Sequence, residues 1–158
     1  MPAVIDKALS KRNEIKKLAH VLAKENLIVI TADGISYSLA KEAALKIKET
    51  SYKNISAAIL GEFMHGHVAV LNNRATLMYI AVDKISKRSV ANLQKIKADY
   101  NPKMVIIGPK DESLNPDYNI NIACDNEIQQ MFADVLICQQ LALEIALKLK
   151  RIITLRWL

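Results

Sequence analysis

Glu42, Lys46 and Glu49 stand four and three positions apart in the run Glu42-Ala-Ala-Leu-Lys-Ile-Lys-Glu49. On a helix, at about 100° per residue, the three fall within roughly 60° of arc and form one polar stripe. Such a stripe has two readings. One is a surface ladder of ion pairs, for which a glutamate four residues ahead of a lysine is the favoured order. The other is a carboxylate base kept ionised by an adjacent ammonium at the edge of a cleft, able to take up a proton and return it. Spacing alone leaves both open.

A second group of reactive residue types is Gly61-Glu62-Phe63-Met64-His65-Gly66-His67, which holds two of the four glycines and two of the three histidines of the chain. Glycines on either side of an imidazole suggest a constrained backbone that presents it. His65 and His67 could bind zinc, but no third ligand at familiar spacing accompanies them, so no metal is expected. His20 reads as a surface residue. Cys124 and Cys138 lie in or beside apolar stretches, with no metal-like spacing around them. Buried, reduced thiols are the expectation, and with them a cytoplasmic location. No cofactor motif is apparent.

These residues need elements to position them. Asp6 to Lys24 carries Ala8, Ile15, Leu18, Ala19 and Leu22 between lysines, a helical pattern. Leu27–Thr31 is a short β-branched run, hence a buried strand. After the turn Ala32-Asp33-Gly34-Ile35-Ser36 a helix is expected over Tyr37–Thr50, with Ser36 as its cap. Its neighbouring face, with Leu39, Ala40, Ala43, Ala44 and Ile47, would pack on a sheet. Further strands are read at Asn54–Ala58, Thr76–Val82, Met104–Gly108 and, at an edge, Tyr118–Cys124. A short helix or irregular stretch covers Ile59–His65, a helix runs from Lys84 to Ala98, and a long one from Glu127 to about Arg151.

Alternating strands and helices, with apolar runs in the central strands, predict an α/β fold. The expected form is one three-layer α/β/α domain over residues 1–158, with a five-stranded, mostly parallel, flavodoxin-like sheet. Ligands of such sheets bind beyond the carboxyl ends of the strands. The loops at 31–36, 57–67 and 82–87 are therefore candidate walls, and Gly34 and Ser36 in the first of them are candidate substrate-binding residues.

The chain has 158 residues, enough for one core, half of them apolar and a quarter charged. It has no run of about eighteen uncharged apolar residues, so no membrane span is expected. The first residues lack the layout of a secretory signal. A net charge of +6 invites a nucleic-acid reading, but the basic residues are spread along the chain without aromatic interleaving, and no nucleic-acid partner is expected. A basic balance also suits an anionic small substrate, through long-range steering.

Glu42-Ala-Ala-Leu-Lys-Ile-Lys-Glu49, then Ser51-Tyr52, then Gly61-Glu-Phe-Met-His-Gly66 resembles the pattern E-x-A-L-K-x-K-E-x-x-Y, spacer, G-E-x-x-H-G of sugar isomerase (SIS) domains. The likeness is to the second, isomerase-type SIS domain of glucosamine-fructose-6-phosphate aminotransferases and related glucosamine-6-phosphate deaminases. It runs from about residue 5 to residue 150, and the leading helix within residues 1–25 resembles the family's inter-domain linker helix. The resemblance implies that Glu49 moves a proton between the first two carbons of an open-chain sugar. His65 would assist ring opening and reach into a neighbouring subunit's site. Lys46 would lie beside the substrate, with Glu42 as its acidic partner. The implied substrates are amino-sugar or ketose 6-phosphates such as fructose 6-phosphate and glucosamine 6-phosphate. The implied assembly is a homodimer or a pairing with a separate phosphate-binding SIS domain.

Four departures stand beside the likeness. No Ser-x-Ser-Gly phosphate loop follows any strand, the comparable loop being Val82-Asp-Lys-Ile-Ser-Lys87. Ala32-Asp33-Gly34 replaces the frequent Gly-Arg-Gly. His67 stands where proline is usual. Residues 152–158, ending Thr154-Leu-Arg-Trp-Leu158, resemble a truncated or divergent remnant of the family's tail, without its lysine. That apolar end is expected to dock on a partner. The missing loop and tail also support an alternative, a non-catalytic phosphosugar-binding or regulatory module.

Overall fold

The computed structural model of the chain describes residues 2–151, so the expected docking of the apolar end falls outside the described residues. In chain order the elements are α1 (Pro2–Ser10), α2 (Arg12–Leu22), β1 (Leu27–Ala32), α3 (Ser36–Ser51), β2 (Ile55–Ile59) and α4 (Leu60–Phe63). A single 3-10 turn at His67–Val70 follows, then β3 (Ala75–Ile80), α5 (Lys87–Tyr100), β4 (Lys103–Ile107), β5 (Tyr118–Ile120) and α6 (Glu127–Lys148). The five strands form one sheet in the order β2-β1-β3-β4-β5. All four pairings are parallel.

Parallel strands are covered on both faces, and the sequence shows it. Every residue of β3, and all but the first of β1 and β4, is buried. Successive side chains alternate between the faces. Ile28, Ile30 and Ala32 of β1 join the core beneath α1, α2, α3 and α6, whereas Val29 joins the core beneath α4 and α5. This is the expected three-layer flavodoxin-like arrangement, with a wholly parallel sheet. α6 is long and apolar enough to cross a membrane by length and composition alone. Here its buried side, including Ala133, Ile137, Leu141 and Ile145, belongs to the first core.

Several expected boundaries move for local reasons. The leading helix is two helices, α1 and α2, meeting at Lys11. There Ser10 donates its hydroxyl to the Lys7 carbonyl at 2.6 Å, and the Lys11 N–H bonds only three residues back, to Ala8. Both pieces thereby pack on α6 through separate apolar sets. α5 begins at Lys87 rather than Lys84, because Ser86 caps it by accepting the Ser89 N–H at 3.1 Å. Of the expected strand Tyr118–Cys124 only Tyr118–Ile120 pairs with β4, at the sheet edge. Ile122 then turns into the α6-side core.

One glycine is fixed by a close approach. Gly108, at the end of β4, has φ +125°, and a Cβ built there would lie 1.9 Å from the Ala81 carbonyl oxygen. Gly61, in α4, has nothing within 4 Å of the same built atom. Gly108→Ala should therefore destabilise the fold by at least about 2 kcal/mol, while Gly61→Ala changes stability by less than about 1 kcal/mol. Urea unfolding of the two variants checks the contrast.

Candidate functional site

α3 is built from good helix formers, with Leu39, Ala40, Ala43, Ala44 and Ile47 buried on its inner side and Leu45 exposed. The stripe predicted from spacing is present on its outer edge. Lys46 Nζ lies 3.1 Å from Glu49 Oε2 and 3.8 Å from Glu42 Oε1, and all three side chains are partly open to solvent. The hydrogen bond to Glu49, then the charges of Glu49 and Glu42, hold the Lys46 ammonium above its ordinary pKa. Ser36 does not cap α3. The residue ahead of the helix is Ile35, with no side-chain cap bond. The buried Ser36 hydroxyl instead accepts the Val82 N–H at 3.2 Å, tying the start of α3 to the end of β3.

The stripe adjoins α6. Thr50, next to Glu49, directs its hydroxyl at the Ala142 carbonyl of α6 at 3.3 Å, besides the Lys46 carbonyl at 2.8 Å. On the solvent side of α6, Ile128, Phe132, Leu143 and Leu147 are uncovered, as are Ile5 and Leu9 of α1. These large apolar side chains lie outside both cores, on the sheet face that carries α3.

His65 is elsewhere. It follows α4, where its own N–H bonds the Glu62 carbonyl at 2.9 Å, and Gly66 at φ +113° turns the chain into the 3-10 segment. The exposed imidazole lines a cleft of about 420 Å³ shared with Asp33, Glu62, Ser86, Arg88, Ser89 and Asn92. These residues come from the carboxyl ends of β1 and β2 and from the start of α5, where the strand order reverses between β1 and β3. At its floor Asp33 Oδ2 accepts the Ser89 hydroxyl at 2.8 Å and the Tyr79 hydroxyl at 3.1 Å. Burial pushes the Tyr79 phenol well above its ordinary range. The Ser86 and Ser89 hydroxyls are 2.8 Å apart. Gly34, exposed at φ +54°, and Ser36 line a smaller cavity of about 220 Å³ that shares Asp33, Ser86 and Ser89 with the first.

The resemblance implied that His65 reaches into a neighbouring subunit's site, and within one chain the stripe and His65 do not meet. α3 packs on the α6 face of the sheet and α4 on the α5 face. α3 also carries the chain from the carboxyl end of β1 back to the amino end of β2, which leaves Glu49 at that end. His65 comes after β2, at the opposite end. Opposite faces and opposite ends of the sheet separate them.

The structure also brings forward residues that spacing passed over. Asp33 was visible only as part of a turn, and Tyr79 only as a strand residue. The Ser86-x-x-Ser89 spacing ahead of a helical run was a cap signal that would have placed the start of α5 at the cleft. Among the described residues no group of three or more metal-ligating side chains is assembled.

Comparison with known proteins gives a consistent result. The family model described as "SIS domain" matches residues 21–151. Glutamine–fructose-6-phosphate aminotransferase (isomerizing) of Wigglesworthia glossinidia brevipalpis is 29% identical over 123 residues, 77% of this chain but 20% of that protein. The solved C-terminal domain of glucosamine-fructose-6-phosphate aminotransferase from Francisella tularensis superposes with a TM-score of 0.84 at 21% identity, covering 95% of this chain and 43% of that one. The tagatose-6-phosphate ketose/aldose isomerase of Escherichia coli gives a TM-score of 0.70 at 15% identity, over 91% of this chain and 42% of its own. At these identities the solved structures establish the fold alone. The chain spans about a fifth of the length of the curated relative.

The Asp33 network makes its own prediction. Asp33→Ala leaves the Tyr79 and Ser89 hydroxyls without their acceptor inside a largely buried site, and should cost about 1–3 kcal/mol. Tyr79→Phe removes a donor and leaves Asp33 bonded to Ser89, so it should cost less. Chemical denaturation of the two variants tests that order.

Proposed function

We propose, on the premise that this chain belongs to the SIS domain family, that it is an isomerase-type SIS domain acting on amino-sugar or ketose 6-phosphates, in a site completed by a second SIS domain. The observation that carries the reading is Lys46 held between Glu49 and Glu42 on the outer edge of α3, at 3.1 and 3.8 Å. Aldose–ketose isomerisation needs one group that removes a proton from a carbon next to a carbonyl and returns it to the neighbouring carbon. Glu49 is that base. The Lys46 ammonium lies beside it and balances the negative charge that develops on the enediolate oxygens. Glu42 holds the ammonium from its other side.

Ring opening needs an acid for the ring oxygen, and His65 supplies it from the neighbouring copy rather than from its own chain. A dimer, or a pairing with a separate SIS subunit, is therefore part of the mechanism. The uncovered apolar side chains of α6, which packs against α3, give such a partner a surface to bury. The partner also supplies the phosphate contacts. In this chain the hydroxyls of Tyr79 and Ser89 are committed to a carboxylate, Asp33, at the place where a parallel sheet presents its ligand loops. Gly34 lies in the loop beside the His65 cleft and enters the substrate wall with His65, from the neighbouring copy, while Ser36 fixes that loop to β3. The activity belongs to sugar-phosphate metabolism, and we place it in the cytoplasm.

The test is conversion of fructose 6-phosphate and glucosamine 6-phosphate by the chain alone and with a candidate partner SIS subunit. Glu49→Gln should lower kcat about 10²–10⁴-fold with KM little changed, since the amide keeps the shape and loses the base. His65→Ala should impair opening of cyclic substrate more than turnover of open-chain substrate. If two copies share the site, mixing the Glu49 and His65 variants should restore about a quarter of the wild-type rate on cyclic substrate, because half the random dimers are mixed and each mixed dimer has one intact site. Folded protein that turns over neither sugar in any pairing would overturn the assignment. Turnover without rescue on mixing would leave the reaction standing and remove the shared site between copies.

A further inference from the structure

Asp134 lies on the sheet-facing side of α6 with no solvent-exposed surface. Its Oδ1 accepts one hydrogen bond, from Gln130 Nε2 at 2.9 Å, and Oδ2 has no hydrogen-bond partner. No ion pair among the described residues includes it. The α6-side core around it is aliphatic. β1, β3 and β4 contribute Ile28, Ile30, Met78, Ile80, Val105 and Ile107, α2 and α3 contribute mostly apolar side chains, and the buried polar groups of these elements include the hydroxyls of Thr76, Ser36 and Ser51 but no charged side chain. An ionised carboxylate in such a place lacks both water and a counter-ion.

We propose that Asp134 is carried as a neutral carboxylic acid, and that the seating of α6 on the sheet therefore depends on a proton. The geometry gives the reason: one satisfied oxygen, one orphaned oxygen and an apolar surround favour the uncharged form. Burial pushes the carboxyl up to about 7, with the Gln130 bond pulling weakly the other way. The titratable groups that sense it are two thiols. Cys138 is one turn further along α6, and Cys124 lies in the segment after β5; burial and the charge of Asp134 both push these thiols up. Lys7 of α1 and Asp125 bear on Cys124 in turn. Lys7 also ties α1 to this segment by donating to the Ala123 carbonyl at 3.3 Å.

The sign follows from linkage. The folded chain keeps a proton that the unfolded chain releases near the ordinary carboxylate value of 3.8. The stabilisation is complete below that value, declines as the pH rises, and is lost once the pH passes about 7. Below pH 3.8 Asp134 costs little. Above neutrality α6 must hold a buried charge or lift to let water in, and α1 with the segment after β5 loosens with it.

Three measurements test this. Asp134→Asn, which keeps the shape and cannot ionise, should exceed the wild type in Tm by a margin that opens above the ordinary carboxylate value of 3.8, grows up to about pH 7 and is constant beyond it. Cys138, only 5% exposed, should react with a thiol reagent at least about tenfold more slowly in the variant than in the wild type at pH 8, with a smaller gap at pH 6. A Tm difference that does not vary with pH, or labelling that does not diverge, overturns the proposal. Should the asparagine fail to fold, Asp134→Leu is read in the same way. The wild type gives an answer that no variant can obscure. Carboxyl-carbon NMR on aspartate-labelled protein should show one buried aspartate titrating near neutrality, and a spectrum with every carboxyl ionised at pH 5 overturns it.

Discussion

Two parallel strands joined through a helix place the end of that helix and the loop after the second strand at opposite ends of the sheet. β1, α3 and β2 obey this constraint, and the rest of the site follows from it. The chain can return to begin β2 only if α3 runs back along β1, and it is the far end of α3 that carries Glu49. The glycine-flanked imidazole comes one strand later, at the other end and over the other face. A chain of this size cannot close that gap by bending a loop, because both faces are packed cores built on the same strands. Any chemistry that uses both groups has to be assembled between domains.

The two regions differ accordingly. The α3 stripe is an open edge, with charges that hold one another and an apolar shoulder on α6 still facing water. Its geometry is preset, and its dielectric environment is left to whatever covers it. An ammonium between two carboxylates is only a weak ion-pair ladder in water. The same three groups become much stronger electrostatic partners when a second surface excludes solvent. The cleft at the carboxyl ends of β1 and β3 is already organised from within, by a carboxylate that takes two hydroxyls from β3 and α5.

Polar groups inside the fold serve as pins. Thr31 bonds the Met78 carbonyl across β1 and β3, Ser36 bonds the Val82 N–H, and Asn119 bonds the carbonyls of Ile106 and Gly108. Each fixes the ends of neighbouring strands relative to one another, so the loops that leave those ends start from set positions. Asp134 is of another kind. It joins no element to another, and one of its two oxygens has no hydrogen-bond partner. A group of that sort makes a core sensitive to solution conditions, whereas the pins make it specific.

The sequence by itself determined the class of fold and the make-up of the polar stripe, because both depend on local periodicity. Apolar runs at Leu27–Thr31, Thr76–Val82 and Met104–Gly108 can be satisfied only between two covering layers. Residues four and three apart on a helix must share an edge whatever surrounds it. The motif from Glu42 to Gly66 likewise showed the family, since its spacings are fixed along the chain. Helix ends were less legible: a hydroxyl such as Ser36 can bond either to its own helix or to a distant strand end, and only packing chose Val82. Tertiary structure alone decided that Glu49 and His65 stand apart, that Asp33 receives Tyr79 and Ser89, and that Asp134 is sealed from water. Each of these depends on which strand lies beside which and which face a helix covers, relations between residues tens of positions apart that no local spacing records.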